Sequence, residues 1–361
     1  MSRPSKIVQR WAKLICGVAA AILVSEFGVR AFYGEPHTGR MVTVRQYAEG
    51  ISTAHYVSDD PQQNYNWRLT GNTPIEGAPE VLILGDSYVI ARQVSDDATM
   101  GALIERRSRA EGSPINVRQY GLSGGSLPAY AAAARVLLAR WNPAWVVVVL
   151  PTNDLTERSL NSGPYWRMRI GPGDSVEIYP VPEPPGPATV FGRIMNRLKR
   201  RSMLVHLLAD RWVLLHTPQR PPRPRGTLDE DQRVTMVPQA AVSLLAREYG
   251  DRLLILHLPE ITRQSQRGIT PPEVRLEEAC LKAGIPYVSA RDVLIRARDR
   301  FVLARGFRNT TPGDGHLNAT GHRLVAGALW QLLEKARHEA HMRQPSAPTM
   351  RTPAPQSHNS T

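Results

Sequence analysis

The chain has 361 residues, 42% hydrophobic and 21% charged, which is ordinary globular composition and enough for one large α/β domain or two small ones. Two cysteines, Cys16 and Cys280, exclude a disulfide-dense scaffold, and no Cys/His grouping has the spacing of a structural zinc site. The net charge is +13, but 12 of those charges lie in residues 1–13 and 188–226. A nucleic-acid-binding fold spreads a basic face over its surface instead, so no nucleic-acid partner is expected.

Arg3, Lys6, Arg10 and Lys13 precede the apolar run Leu14 to Val24. Positive charge before such a run keeps that side in the cytoplasm. The stretch Trp11 to Tyr33 is long enough to cross a bilayer. Glu26 and Arg30 are spaced to pair on one helix face, and Trp11, Phe32 and Tyr33 stand where interfacial aromatics belong. The segment is read as an uncleaved signal anchor, ahead of a cleaved signal peptide or a buried soluble helix. Residues 1–10 are then a cytoplasmic basic segment and 11–33 a single membrane-spanning helix. The body lies on the periplasmic or extracytoplasmic side, beyond a connecting region, 34–78.

From residue 79 the pattern alternates. Val81 to Leu84, Ile115 to Tyr120, Trp145 to Leu150, Arg252 to Leu258 and Ile285 to Val288 read as buried strands. Helices are expected from Leu103 onward, over Ala129 to Trp141, over Pro272 to Ala283, and as a closing helix from Ala319 to Ala336. Strands alternating with helices give an α/β class fold with a parallel sheet of about five strands covered on both faces. Residues 160–235 read as an insertion bracketed by the proline-rich stretches 180–187 and 218–224. Within it Phe191, Ile194, Met195, Leu198, Val205, Leu208, Trp212 and Leu215 recur at helical spacing among arginines. That is a basic amphipathic helix or helix pair, either packed on the domain or facing a membrane surface or substrate. Residues 338–361 are polar and read as a disordered tail.

Ligands of parallel sheets gather at the carboxyl ends of the strands. Gly85-Asp86-Ser87-Tyr88 follows the first strand and Gly121-Leu122-Ser123-Gly124-Gly125-Ser126 the second. Pro151-Thr152-Asn153-Asp154 follows the third, and Asp314-Gly315-His316-Leu317-Asn318 precedes the closing helix. Each has a bland reading: Ser87 as a helix cap, the glycines and Asn153 as turn formers, Asp314 as another turn. Together they are the types that acyl transfer needs. A serine hydroxyl becomes a nucleophile when a base takes its proton. His316 has the right pKa range for that base, and Asp314 can fix its tautomer. The backbone N–H groups of Ser87 and Gly124 and the Asn153 amide can form an oxyanion hole, with Gly125 as the alternative to Gly124. His322 reads as a packed or capping residue, and Asn309, Asn318 and Asn359 match the glycosylation sequon.

This order of blocks resembles the SGNH (GDSL-type) hydrolase superfamily over residues 79–337. The resemblance implies a flavodoxin-like three-layer α/β/α sandwich, with Ser87 as nucleophile, His316 as base and Asp314 as its partner. It implies an oxyanion hole of Ser87, Gly124 and Asn153, and no metal or organic cofactor. With only Gly315 between Asp314 and His316, the spacing is similar to the branch of alginate and exopolysaccharide O-acetylation proteins. The leading expectation is an esterase that removes acyl groups, acetyl first, from an envelope or extracellular glycan. The alternatives are a polysaccharide O-acetyltransferase, a lipid esterase and an inactive binding module.

Overall fold

A computed structural model describes residues 6–33, 41–46, 50–58, 66–68, 70–122, 124–156, 166–170, 176–180, 190–199, 201–202, 204–205, 207–209, 212, 230–261, 268–307, 313 and 315–343. The first element is helix α1 (Lys6–Tyr33). Its apolar window, Lys13–Ala31, is long enough to cross a membrane, and none of it is buried. The Glu26–Arg30 pair read from the spacing is present, with Arg30 Nε donating to Glu26 at 2.6 Å.

Strands β4 (Glu80–Gly85), β5 (Asn116–Gly121), β6 (Trp145–Pro151), β9 (Leu253–Leu258) and β10 (Tyr287–Ser289) form the expected parallel core, in the order β5-β4-β6-β9-β10. Successive side chains on a strand point to opposite faces, and here both faces are buried. Leu82, Leu84, Val146, Val148 and Ile255 face helices α4 (Leu127–Trp141), α6 (Glu230–Tyr249) and α7 (Pro271–Ala283). Val81, Ile83, Val147, Val149 and Leu256 face α3 (Met100–Ala110), α8 (Arg291–Asp299) and α9 (Ala319–Arg343). This is why the strands read as continuous apolar runs. Each such large side chain stabilises the fold by roughly 1.5–3 kcal/mol when buried.

The structure adds elements that the sequence reading passed over. The connecting region contains β1 (Met41–Gln46), β2 (Gly50–Ser58) and β3 (Asn66–Arg68), paired antiparallel. β3 joins β5 antiparallel, extending the sheet to eight strands. Arg68 on β3 is buried and pairs with Asp96 at 3.2 Å, fastening this edge to the loop before α3. The insertion contains a hairpin of β7 (Trp166–Ile170) and β8 (Val176–Pro180), which packs Met168 into the core beside α4. It also contains α5 (Val190–Lys199) and further helical residues at 204–205, 207–209 and 212. α6 begins inside the stretch read as insertion.

The closing helix runs past Ala336 to Arg343, so residues 338–343 of the expected disordered tail are helical instead. Glutamate, alanine, methionine and arginine there sustain the helix by propensity. The rest of the tail, the proline-rich stretches 181–187 and 218–224, Asn309 and Asn359 lie outside the described residues. Asn318 is buried, donating to Leu303 O at 2.8 Å and accepting from Gly321 N at 3.0 Å. It is therefore a structural amide rather than a glycosylation acceptor. Cys280 is buried and its thiol pKa is pushed up to about 12 by desolvation, which suits the inert hydrophobe read from the sequence.

Candidate active site

The turn after β4 aims Ser87 at the rim of the sheet. Asp86, not Ser87, caps the short helix α2 (Ser87–Ile90), its Oδ1 accepting from Tyr88 N at 2.9 Å. The cap reading of Ser87 is thereby corrected: the carboxylate takes the cap bond and leaves Ser87 Oγ for another partner. α2 lies hard against the end of β5, where a Cβ on Gly121 would come 2.5 Å from Ile90 N. Only glycine admits that approach.

Ser87 Oγ lies 2.7 Å from His316 Nε2 across 229 residues of chain. In the tautomer that carries its proton on Nδ1, the ring accepts the hydroxyl hydrogen, which is the geometry of a nucleophile and its base. The alternative partner, Asp86 Oδ2, stands at 3.5 Å. Both Ser87 and His316 are half-buried, so the pair is reachable from solvent. Asp314 lies outside the described residues, and its role rests on the sequence. His322 is buried and accepts from Met100 N at 3.2 Å through Nδ1, the packed residue expected. Burial holds its pKa down to about 3.

One residue that the sequence reading missed organises this end of the molecule. Arg305 is 3% exposed. Its Nη1 donates to Tyr88 Oη at 2.6 Å and to Gly315 O at 2.9 Å, and Nη2 donates to Pro259 O at 2.8 Å. A single cation therefore ties the turn of Ser87, the loop of His316 and the end of β9 together. Its guanidinium stacks 5.1 Å from the Tyr88 ring centre, and that ring lies 5.1 Å from the His316 ring. Burial first, and the Arg305 charge second, hold the His316 pKa below its ordinary value. That keeps the imidazole in its proton-accepting form near neutrality. Beyond Arg305 opens a cavity of about 560 Å³, lined by Ile261, Leu294, Phe301, Val302 and Leu303.

The remaining predicted residues sit at the ends of the strands that flank β4. Gly124 follows β5 at φ +66°, a conformation that favours glycine. Gly125 N donates to Leu122 O at 2.8 Å. The N–H of the alternative donor is thus committed to its own turn, and Gly124 remains the candidate. Asn153 is exposed in the turn after β6, and its Nδ2 reaches Asp154 Oδ1 at 3.4 Å. Asp154 is buried beneath it and accepts from Tyr130 Oη at 2.7 Å. Burial, and then the Asp86 charge, push the Asp154 carboxyl well above the usual carboxylate range. Burial likewise raises Asp86 to about 6. Two interacting acids under one rim resist simultaneous ionisation. Tyr130 and Asp154 form a support for Asn153 that the sequence reading did not identify.

No family model matches the chain, and no curated protein matches it. Among solved structures the chain is similar to a two-domain esterase (CEX) active on acetylated mannans, with 13% identity and TM-score 0.41, covering 78% of this chain and 53% of that one. The chain thus spans about half the length of that esterase. It is also similar to a catalytic mutant of Axe2, an acetylxylan esterase from Geobacillus stearothermophilus, with 12% identity and TM-score 0.39, covering 72% and 96%. A third is a member of the lipolytic protein G-D-S-L family from Veillonella parvula DSM 2008, with 12% identity and TM-score 0.38, covering 72% and 100%.

Proposed function

We propose that the chain is an SGNH-type serine esterase, anchored in a membrane by α1, that removes acyl groups, acetyl first, from an envelope or extracellular glycan. The observation that carries this reading is the 2.7 Å contact between Ser87 Oγ and His316 Nε2 at the carboxyl ends of a parallel sheet. Ser87 Oγ attacks the ester carbonyl carbon while its proton passes to His316 Nε2. The carbonyl oxygen becomes an oxyanion, received by the N–H groups of Ser87 and Gly124 and by Asn153 Nδ2. The imidazolium then gives its proton to the departing sugar alkoxide, leaving the acyl group on Ser87. Water attacks that acyl-enzyme with His316 again as base, releasing the acid and restoring the serine. Asp314 holds the imidazole tautomer and stabilises its charged form. The half-buried pair and the exposed Asn153 suit an acyl group carried on a large scaffold rather than a ligand swallowed whole.

A second reading replaces the attacking water with a sugar hydroxyl, making the chain a polysaccharide O-acetyltransferase. The single residue between Asp314 and His316 favours it. Purified full-length chain given an acetyl ester and a glycan acceptor separates the two. Free acetate as sole product supports the esterase, and acetylated glycan supports the transferase. Absence of any ester turnover overturns both.

A further inference from the structure

The polar pair in α1 is also where the insertion attaches. Glu26 Oε2 accepts from Ser202 Oγ at 2.7 Å and from Leu204 N at 2.9 Å, while Arg30 Nη2 donates to Arg201 O at 2.7 Å. A carboxylate within a membrane-spanning segment is costly unless it is paired and hydrogen-bonded. Here part of that satisfaction comes from the 201–204 turn. Glu26 stands five residues before the end of the apolar window Lys13–Ala31, about 7.5 Å at the helical rise. The turn is therefore held at that depth.

On both sides of this turn the insertion shows solvent an apolar stripe. Val190, Ile194 and Leu198 recur every four residues on α5, and Leu208 and Trp212 repeat the interval beyond the turn; all five are 44–65% exposed. Arg197 and Arg201 are exposed alongside. Residues 188–226 carry eight of the chain's thirteen net positive charges. Amphipathic helices of this kind lie in the bilayer interface with their apolar face roughly 5–10 Å deep, helped by anionic lipids, which is the depth that Glu26 sets.

We propose that the insertion is a second membrane contact. Its stripe of Val190, Ile194, Leu198, Leu208 and Trp212 lies in the interface of an anionic bilayer, in the leaflet at the C-terminal end of α1. The inference rests on reading α1 as a membrane anchor, and the test separates the two. Full-length chain with Cys16→Ser takes one new cysteine, by Ile22→Cys, Ile194→Cys, Leu208→Cys or Leu281→Cys. Each variant is labelled with a nitrobenzoxadiazole fluorophore and placed in nanodiscs of phosphatidylcholine and phosphatidylglycerol. Nitroxide lipid labelled near the headgroup supplies the quencher for positions 194 and 208, lipid labelled deep on the acyl chain supplies it for position 22, and Leu281, 82% exposed on α7, is the aqueous control.

The expected result is blue-shifted, quenched emission at positions 22, 194 and 208 and neither effect at 281. Replacing phosphatidylglycerol by phosphatidylcholine should weaken quenching at 194 and 208 but not at 22. Water-like emission at 194 and 208 with quenching intact at 22 overturns the inference and leaves the anchor standing. So does shielding at 194 and 208 without quenching, which means a protein cover. Loss of quenching at 22 overturns the anchor and the inference together. Ester turnover in the same discs reports on the catalytic reading separately.

Discussion

Arg305→Met removes the charge beside the base while keeping much of the side chain's bulk. The Arg305 guanidinium carbon and the His316 ring each lie 5.1 Å from the Tyr88 ring centre, so about 10 Å at most separates them. At that distance, with an effective dielectric of about 20, one charge changes the protonation free energy by about 1.7 kcal/mol, or about 1.2 pKa units. The groups beside the imidazole, Tyr88 and His322, and its proposed partner Asp314 are unchanged. A positive neighbour disfavours imidazolium, so its loss raises the His316 pKa. In the proposed mechanism the neutral ring is the base, so the rising limb of kcat/KM against pH should move up by about one unit. The substitution also removes the Arg305 bonds to the Tyr88 hydroxyl and to the Gly315 and Pro259 carbonyls, at about 1–3 kcal/mol for a buried group such as Pro259 O. Arg305→Lys keeps the charge with fewer bonds. Its limb should stay near that of the parent while its melting temperature falls. The assay is the pH–rate profile of the three proteins, with circular dichroism at each pH to confirm folding. Coincident limbs for parent and Arg305→Met, or a Lys variant displaced as far as the Met variant, would refute the electrostatic role.

Asn153→Ala should lower kcat by about 100- to 1,000-fold with a smaller change in KM, because its bond to the developing oxyanion strengthens in the transition state; steady-state kinetics showing a KM effect alone would contradict that. His322→Gln keeps an acceptor for Met100 N and removes a titrating group. The pKa of His322 is about 3 when folded against 6.5 ordinarily, so between those values the unfolded chain binds the extra proton and stability falls as pH drops. His257, held down to about 4 by burial, acts in the same direction. Melting temperatures at about pH 7 and about pH 4.5 should therefore differ less in His322→Gln than in the parent, and equal differences would count against a buried neutral His322.

The five parallel strands were legible because burial on both faces makes each a continuous apolar run, as in Trp145–Pro151. The antiparallel extension was not. Met41–Gln46 and Asn66–Arg68 mix polar and apolar residues, and their pairing is set by partners distant in sequence, such as Gly121 for Asn66. α6 follows a proline-rich stretch and carries Pro238, a residue that argues against helix in any local reading. In the site, Ser87 and His316 were readable because each occupies a recognisable short block, Ser87 in the turn after β4 and His316 in the loop before the closing helix. Arg305 carries no such signal. Two of its partners are backbone carbonyls 10 and 46 residues away, and the third is a tyrosine hydroxyl 217 residues away. The Tyr130–Asp154 bond is equally non-local, joining α4 to the turn after β6.

The pairing of Ser87 with His316 is tested most directly by a fluorophosphonate probe, with peptide mapping by mass spectrometry. The parent should carry one adduct, on Ser87 Oγ. Ser87→Ala should carry none, and folded His316→Ala should label far more slowly. An adduct elsewhere, or labelling of His316→Ala at the parent's rate, would contradict the account.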